Sequence, residues 1–277
     1  MAGGKIKGFF KGISTVVGIL DPLQTIPRIT LLFHKNILFY YAQKNYTNAI
    51  KALGRLGTPL DAPDPNDGDT ALHVAAHQGH NGVVSALIVA GANIAALNSE
   101  KETPLHMAVR GIRRDAVQIL LKACPNFNAK KEYLSMLDNF GRPVLHIAIH
   151  SGDVETMRLL LANGADPNQK DPTTGNTALH VIAERAGKEG FNIEWQMLIN
   201  LLAFHNANFD ITNIKGLTPA LLAASRLQFK IAHMMNASKA APITTQHQLS
   251  IQKRYRNGDS AAALPDASIR YGYSHKV

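Results

Sequence analysis

Between residues 66 and 98 the apolar and polar positions fall into two short helical blocks behind a polar turn. Asn66-Asp67-Gly68-Asp69 is a run of turn formers. Thr70 follows, with a hydroxyl suited to capping a helix. Leu72 opens an apolar face that Ala75 and Ala76 continue, and Gly79 ends this first helix. A second helix is predicted from about Asn81, because Val83, Val84, Leu87 and Ile88 share one stripe at helical spacing. Gly91 is placed as the left-handed stop after it.

This block recurs. Thr70-Ala71-Leu72-His73, Thr103-Pro104-Leu105-His106, Pro143-Val144-Leu145-His146 and Thr177-Ala178-Leu179-His180 share a phrase, and Thr218-Pro219-Ala220-Leu221 follows with Leu in the His place. Their first residues lie 33, 40, 34 and 41 positions apart. A period near 33 predicts a solenoid, in which each unit buries its apolar face only against its neighbours. Pro104 and Pro219 stand in the first helical turn, where Pro is tolerated best.

These phrases resemble the ankyrin repeat. Thr103-Pro104-Leu105-His106-Met107-Ala108 matches the start of that family's repeat, and Gly164-Ala165-Asp166-Pro167-Asn168 and Gly91-Ala92-Asn93 match its exit. The resemblance implies an all-α solenoid of stacked helix-turn-helix units with hairpin-like fingers, in which the motif His ties adjacent repeats together. Five repeats are expected at 66–98, 99–138, 139–171, 172–212 and 213–237. A degenerate one precedes them, with a first helix from about Lys35 to Gln43, Phe39 in the His place, and a second helix over Asn45–Leu53. The overall plan also resembles small ankyrin effectors that intracellular bacteria deliver into host cells.

Two spacings are long. The first implies about seven extra residues, placed at Lys131–Leu137 in the finger; the second about eight, placed at Gly187–Glu194 between two helices. The first insertion holds Tyr133, Leu134, Met136 and Leu137, so it is expected either to pack on the solenoid or to bind something. Cys124 stands where Gly91 and Gly164 stand, so its exit is expected to bend differently; Asn206 fills the same place in the fourth repeat.

Charge changes the picture once it is partitioned. The net +9 sits outside the repeats: residues 1–44 carry +5, residues 237–277 carry +4, and the repeat block is neutral. General phosphate binding by the solenoid is therefore not expected, and no nucleic acid is assigned as a partner. One Cys excludes a disulfide framework and fits a reducing, cytoplasmic setting.

The organisation read from these patterns is an N-terminal extension over 1–34, a repeat domain over 35–237 and a disordered basic tail over 238–277. Within the extension, Ile6, Phe9, Phe10, Ile13, Val16, Val17 and Leu20 share a helical face with lysines elsewhere. Residues 5–20 thus fit a helix capping the exposed solenoid end, or one lying on an anionic membrane. Ala2 after the initiator Met excludes the simple myristoylation motif.

No catalytic constellation, cofactor motif or metal set stands out. His73 with His77, and His146 with His150, have the four-residue spacing of metal ligands, but the first member of each pair is a repeat-motif histidine and no third ligand is evident. A monomeric, non-catalytic adaptor for another protein is the expected function. In the ankyrin family partners dock on the finger tips and first helices. That resemblance points to Asp67, Asp69, His77, Glu100, Glu102, Arg110, Phe140, Arg142, His150, Asn176, Arg185, Lys215 and Arg226 as the partner-binding set. The early members are acidic, with Asp61 and Asp64 beside them, and the later ones aromatic or basic. Phe140 and Arg142 are the expected anchors.

Overall fold

A computed structural model of the chain describes residues 30–189 and 193–240. The amphipathic pattern of residues 5–20 and the basic tail beyond residue 240 lie outside them, as does the centre of the second insertion. Among the described residues there are thirteen helices and no strand. They divide into two compact units, residues up to Pro125 with Leu137–Asn139, and Asn126–Met136 with the chain from Phe140 onward.

The first unit contains α1 (Thr30–Gln43), α2 (Thr47–Arg55), α3 (Ala71–Gln78), α4 (Asn81–Val89), α5 (Pro104–Arg110) and α6 (Arg114–Lys122). These are three helix pairs. First helices stack as α1, α3, α5 and second helices as α2, α4, α6. The core between the rows is fully buried Leu38, Ile50, Leu72, Leu87, Leu105 and Leu120. Alanines 75, 76 and 108 line it, so the rows approach closely. The pattern of the first clear repeat runs through α1 and α2: Leu38 and Ala42 are buried where Leu72 and Ala76 are, and Asn45 and Gly57 have left-handed φ of 59° and 69°, as Gly79 and Gly91 do. Its first helix begins at Thr30, five residues before the expected Lys35.

The second unit contains α7 (Phe127–Ser135), α8 (Val144–Ser151), α9 (Val154–Ala162), α10 (Ala178–Glu189), α11 (Ile193–Phe204), α12 (Pro219–Ser225) and α13 (Phe229–Ala240). Helices α8, α10 and α12 form one row, and α9, α11 and α13 the other. Ile149, Met157, Leu160, Leu179, Ile182 and Trp195 fill the space between. Helix α13 runs three residues past the expected end of the repeat domain at 237.

Both insertions contain helix among their described residues. The first was expected as finger residues 131–137, but α7 forms over Phe127–Ser135, immediately after the preceding repeat's exit. Asn126 starts it by accepting the Ala129 N–H at 2.8 Å. Tyr133 and Leu134 are then buried, Lys130 donates to Asn163 Oδ1 at 3.2 Å, and Gln169 donates to the Ser135 carbonyl at 2.7 Å. Tyr133, Leu134 and Met136 belong to the second unit, and Leu137 to the first. The second insertion was expected between helices; of its described residues, 187–189 end α10 and 193–194 begin α11, each helix having twelve residues against eight in α3 and nine in α4.

Candidate protein-binding surface

The surface is built on the motif phrase. The Thr70 N–H donates to His73 Nδ1 at 3.1 Å, and the Thr70 hydroxyl lies 2.9 Å from the same nitrogen. With Nδ1 an acceptor, the ring proton sits on Nε2, which donates to the Glu102 carbonyl of the next repeat at 2.9 Å. Thr177 and His180 repeat the arrangement, with Nε2 donating to the Leu217 carbonyl at 3.0 Å. Thr103 and His106 form the reciprocal box, each backbone N–H donating to the other's side chain, at 3.2 Å and 3.3 Å. Both ring nitrogens of His73 and of His180 are thus taken by protein partners, which leaves neither as a metal ligand.

Burial of these rings holds them neutral. The His146 ring, with Pro143 in place of the capping Thr, is pushed down to about 4 by burial, against the opposing pull of the Asp171 carboxylate and the Gln169 carbonyl. Burial likewise lowers His73 and His180, and lowers His205 to about 4.

The fingers are linked by backbone bonds. Within each, the chain closes on itself through Asp64 N–H to Asp69 carbonyl (2.7 Å), Asn98 to Glu102 (3.1 Å), Asp171 to Asn176 (2.9 Å) and Asn213 to Leu217 (3.0 Å). Between them, the Ser99 N–H donates to the Asp67 carbonyl at 2.9 Å and the Ile214 N–H to the Thr174 carbonyl at 3.1 Å. Gly175 makes the latter contact feasible: its φ is 68°, and a Cβ there would stand 2.8 Å from the Ile214 nitrogen. Gly175→Ala is therefore expected to cost about 2 kcal/mol or more, measured as a lowered thermal midpoint of the whole chain.

This geometry corrects three of the expected partner-binding residues. Asp69, Glu102 and Asn176 are buried, at 8%, 1% and 4% exposure. Each directly precedes a motif threonine, where the finger turns into the helix and the side chain points at a structural neighbour. Asp69 accepts from Asn98 at 2.8 Å and Asn176 accepts from Asn213 at 3.0 Å, tying one finger to the next. Glu102 forms an ion pair with Arg110. Their polarity serves the fold.

The remaining ten reach the surface to different degrees. In the first unit Asp67, His77, Glu100 and Arg110 are exposed. In the second, Phe140, His150, Lys215 and Arg226 are exposed, while Arg142 and Arg185 are half-buried. The Arg142 guanidinium lies over the Phe140 ring, 4.7 Å from its centroid. Arg226 pairs with Glu184 at 3.2 Å. Arg185 donates to the Ile149 carbonyl of the preceding repeat and stacks over Trp195 at 5.6 Å, so it also joins repeats. Ile214, 69% exposed at a finger tip, adds an apolar side chain beside Lys215.

Comparison with known proteins decides the family. The model for ankyrin repeats in three copies matches residues 38–131, 83–171, 127–193 and 145–247. The chain belongs to the ankyrin-repeat family. An ankyrin repeat domain from Acinetobacter baumannii is 26% identical and superposes with a TM-score of 0.62, covering 74% of this chain and 98% of that one. The nuclear factor NF-kappa-B p105 subunit of Gallus gallus is 28% identical over 76% of this chain. An L-asparaginase of Dirofilaria immitis is 32% identical over 55% of it. In each of these two relatives the match spans 24% of the protein's length. Ankyrin repeats are in general protein-interaction modules. Among the described residues no helix is long and apolar enough to cross a membrane.

Proposed function

We propose that this chain is a non-catalytic, monomeric adaptor that binds a partner protein through its ankyrin finger tips and first helices. One observation carries the reading. At a finger tip of the second unit an aromatic ring, Phe140, is 58% exposed with an arginine over its face. Gly141, with a left-handed φ of 77°, turns the chain directly after the ring. Aromatic and arginine side chains dominate interface energies when a partner buries them. Lys215 and Ile214 extend this surface with positive charge and apolar area.

The partner segment at the second unit is then apolar and acidic. The first unit, exposing Asp61, Asp67 and Glu100, favours basic residues. The test is capture by the full chain followed by affinity measurement with the captured protein. Phe140→Ala with Arg142→Ala is expected to weaken binding at least about tenfold with an unchanged melting temperature. Charge reversal belongs at Asp67 and Glu100, since Asp69 is buried. Unchanged affinity in both variants would remove this surface from the function.

A further inference from the structure

The last repeat ends in a stacking face whose polar groups have been replaced. Three positions in the first clear repeat reach across to the next one. His73 donates to the Glu102 carbonyl, Gly79 lies where a Cβ would meet Arg113 at 2.7 Å, and Asn81 donates to Asp115 at 3.2 Å. The second unit uses the first of these in the same way, through His180 and the Leu217 carbonyl. Counted from their capping threonines Thr70 and Thr218, the matching residues of the last repeat are Leu221, Leu227 and Phe229. They are 54%, 75% and 65% exposed. Leu227 also keeps the left-handed backbone of Gly79, at φ 62° against 76°, although a leucine disfavours it. His233 and Asn236, one and two turns further along α13, are exposed and polar. Large exposed apolar side chains rimmed by polar ones mark an interaction site. A terminal repeat facing water would instead carry a polar outer surface.

We propose that residues 241–277 cover this face in the same molecule, seating Ile243, Leu249 and Ile251 against Leu221, Leu227 and Phe229. The argument is one of origin and reach. The segment begins where α13 ends, at Ala240. Helix α13 has twelve residues and is about 18 Å long, a distance that about six extended residues span. Helices α12 and α13 are antiparallel, so Leu221 lies toward the end from which the chain leaves, and Leu227 and Phe229 lie at the far end. A tethered segment meets its site at an effective concentration in the millimolar range, roughly. A second copy would have to compete with that.

Hydrogen–deuterium exchange of the full chain at neutral pH tests the proposal. Amides of residues 243–251 are expected to exchange at least about tenfold slower than a free chain. In the variant Leu221→His, Leu227→Gly, Phe229→Asn the slowing is expected to vanish. Its residues are those of the first clear repeat at the same positions, so the fold is expected to survive, as circular dichroism and fluorescence of Trp195 would report. Should that variant unfold, Ile243→Ser with Leu249→Ser and Ile251→Ser removes the occupant instead and must show the same loss. Free-chain exchange in the unaltered protein overturns the proposal. So does a concentration-dependent dimer that the first variant abolishes, which would make a second copy the occupant.

Discussion

Replacing His73 with alanine is expected to destabilise the chain by about 3 kcal/mol, seen as a lowered urea midpoint at pH 7.5. The ring is fully buried and serves three groups at once. Its loss leaves the Thr70 N–H and hydroxyl without their acceptor and takes one of two donors from the Glu102 carbonyl, which keeps the Asn98 N–H. Each such buried group costs about 1–3 kcal/mol, and the vacated volume adds to this. His180→Ala is expected to behave alike, because it holds the corresponding set with Leu217. His77→Ala is the contrast. That ring is exposed and only 3.4 Å from the Met107 carbonyl, so its removal is expected to change stability by less than about 0.5 kcal/mol.

Mild acid is expected to unfold the repeats well before the carboxylates titrate. His146 has its folded-state value pushed down to about 4, from an ordinary value of 6.5. Between those values the unfolded chain binds a proton that the folded chain refuses. Stability is therefore complete above about pH 6.5 and falls as pH drops toward 4, then levels off. For His146 alone the loss amounts to about 3 kcal/mol at the lower end. His73, His180 and His205 are shifted in the same direction by burial and deepen the decline. Asp69, raised mainly by burial, opposes it at the most acidic end, since it binds its proton more tightly when folded. Urea midpoints measured from pH 7.5 to 4.5 should fall steadily below 6.5, and His146→Leu should flatten part of the slope. A flat profile over that range would contradict neutral burial of the rings.

The repeat architecture was legible because its markers are local. A capping Thr, a Leu and a His within four residues set a helix start and a contact with the next repeat, and the left-handed residues Gly57, Gly91, Gly164 and Asn206 mark four of the exits. Even the degenerate first repeat could be read, since Asn45 and Gly57 keep the spacing of Gly79 and Gly91. What the pattern misplaced were features decided by neighbours distant in sequence. Helix α7 has its own start signal in Asn126, but the repeat register drew the extra residues into the finger, four positions too late. The partner-binding set was over-inclusive for a similar reason. A charged residue beside a turn ordinarily faces water. Asp69 and Asn176 face inward because an asparagine of the next finger waits there, and nothing local announces that partner.

His73 and His180 donate in one direction along the chain, each from its repeat to the one that follows it. Unzipping is therefore not symmetric. Peeling the last repeat from the C-terminal side strips the acceptor from the His180 N–H, stranding a proton donor in an apolar wall. Peeling the first clear repeat from its other side leaves only the Glu102 carbonyl, which water can reach at the newly opened edge. A pull applied at the two ends should thus meet different resistance, with the array harder to open from the end where each histidine holds on than from the end where a carbonyl lets go.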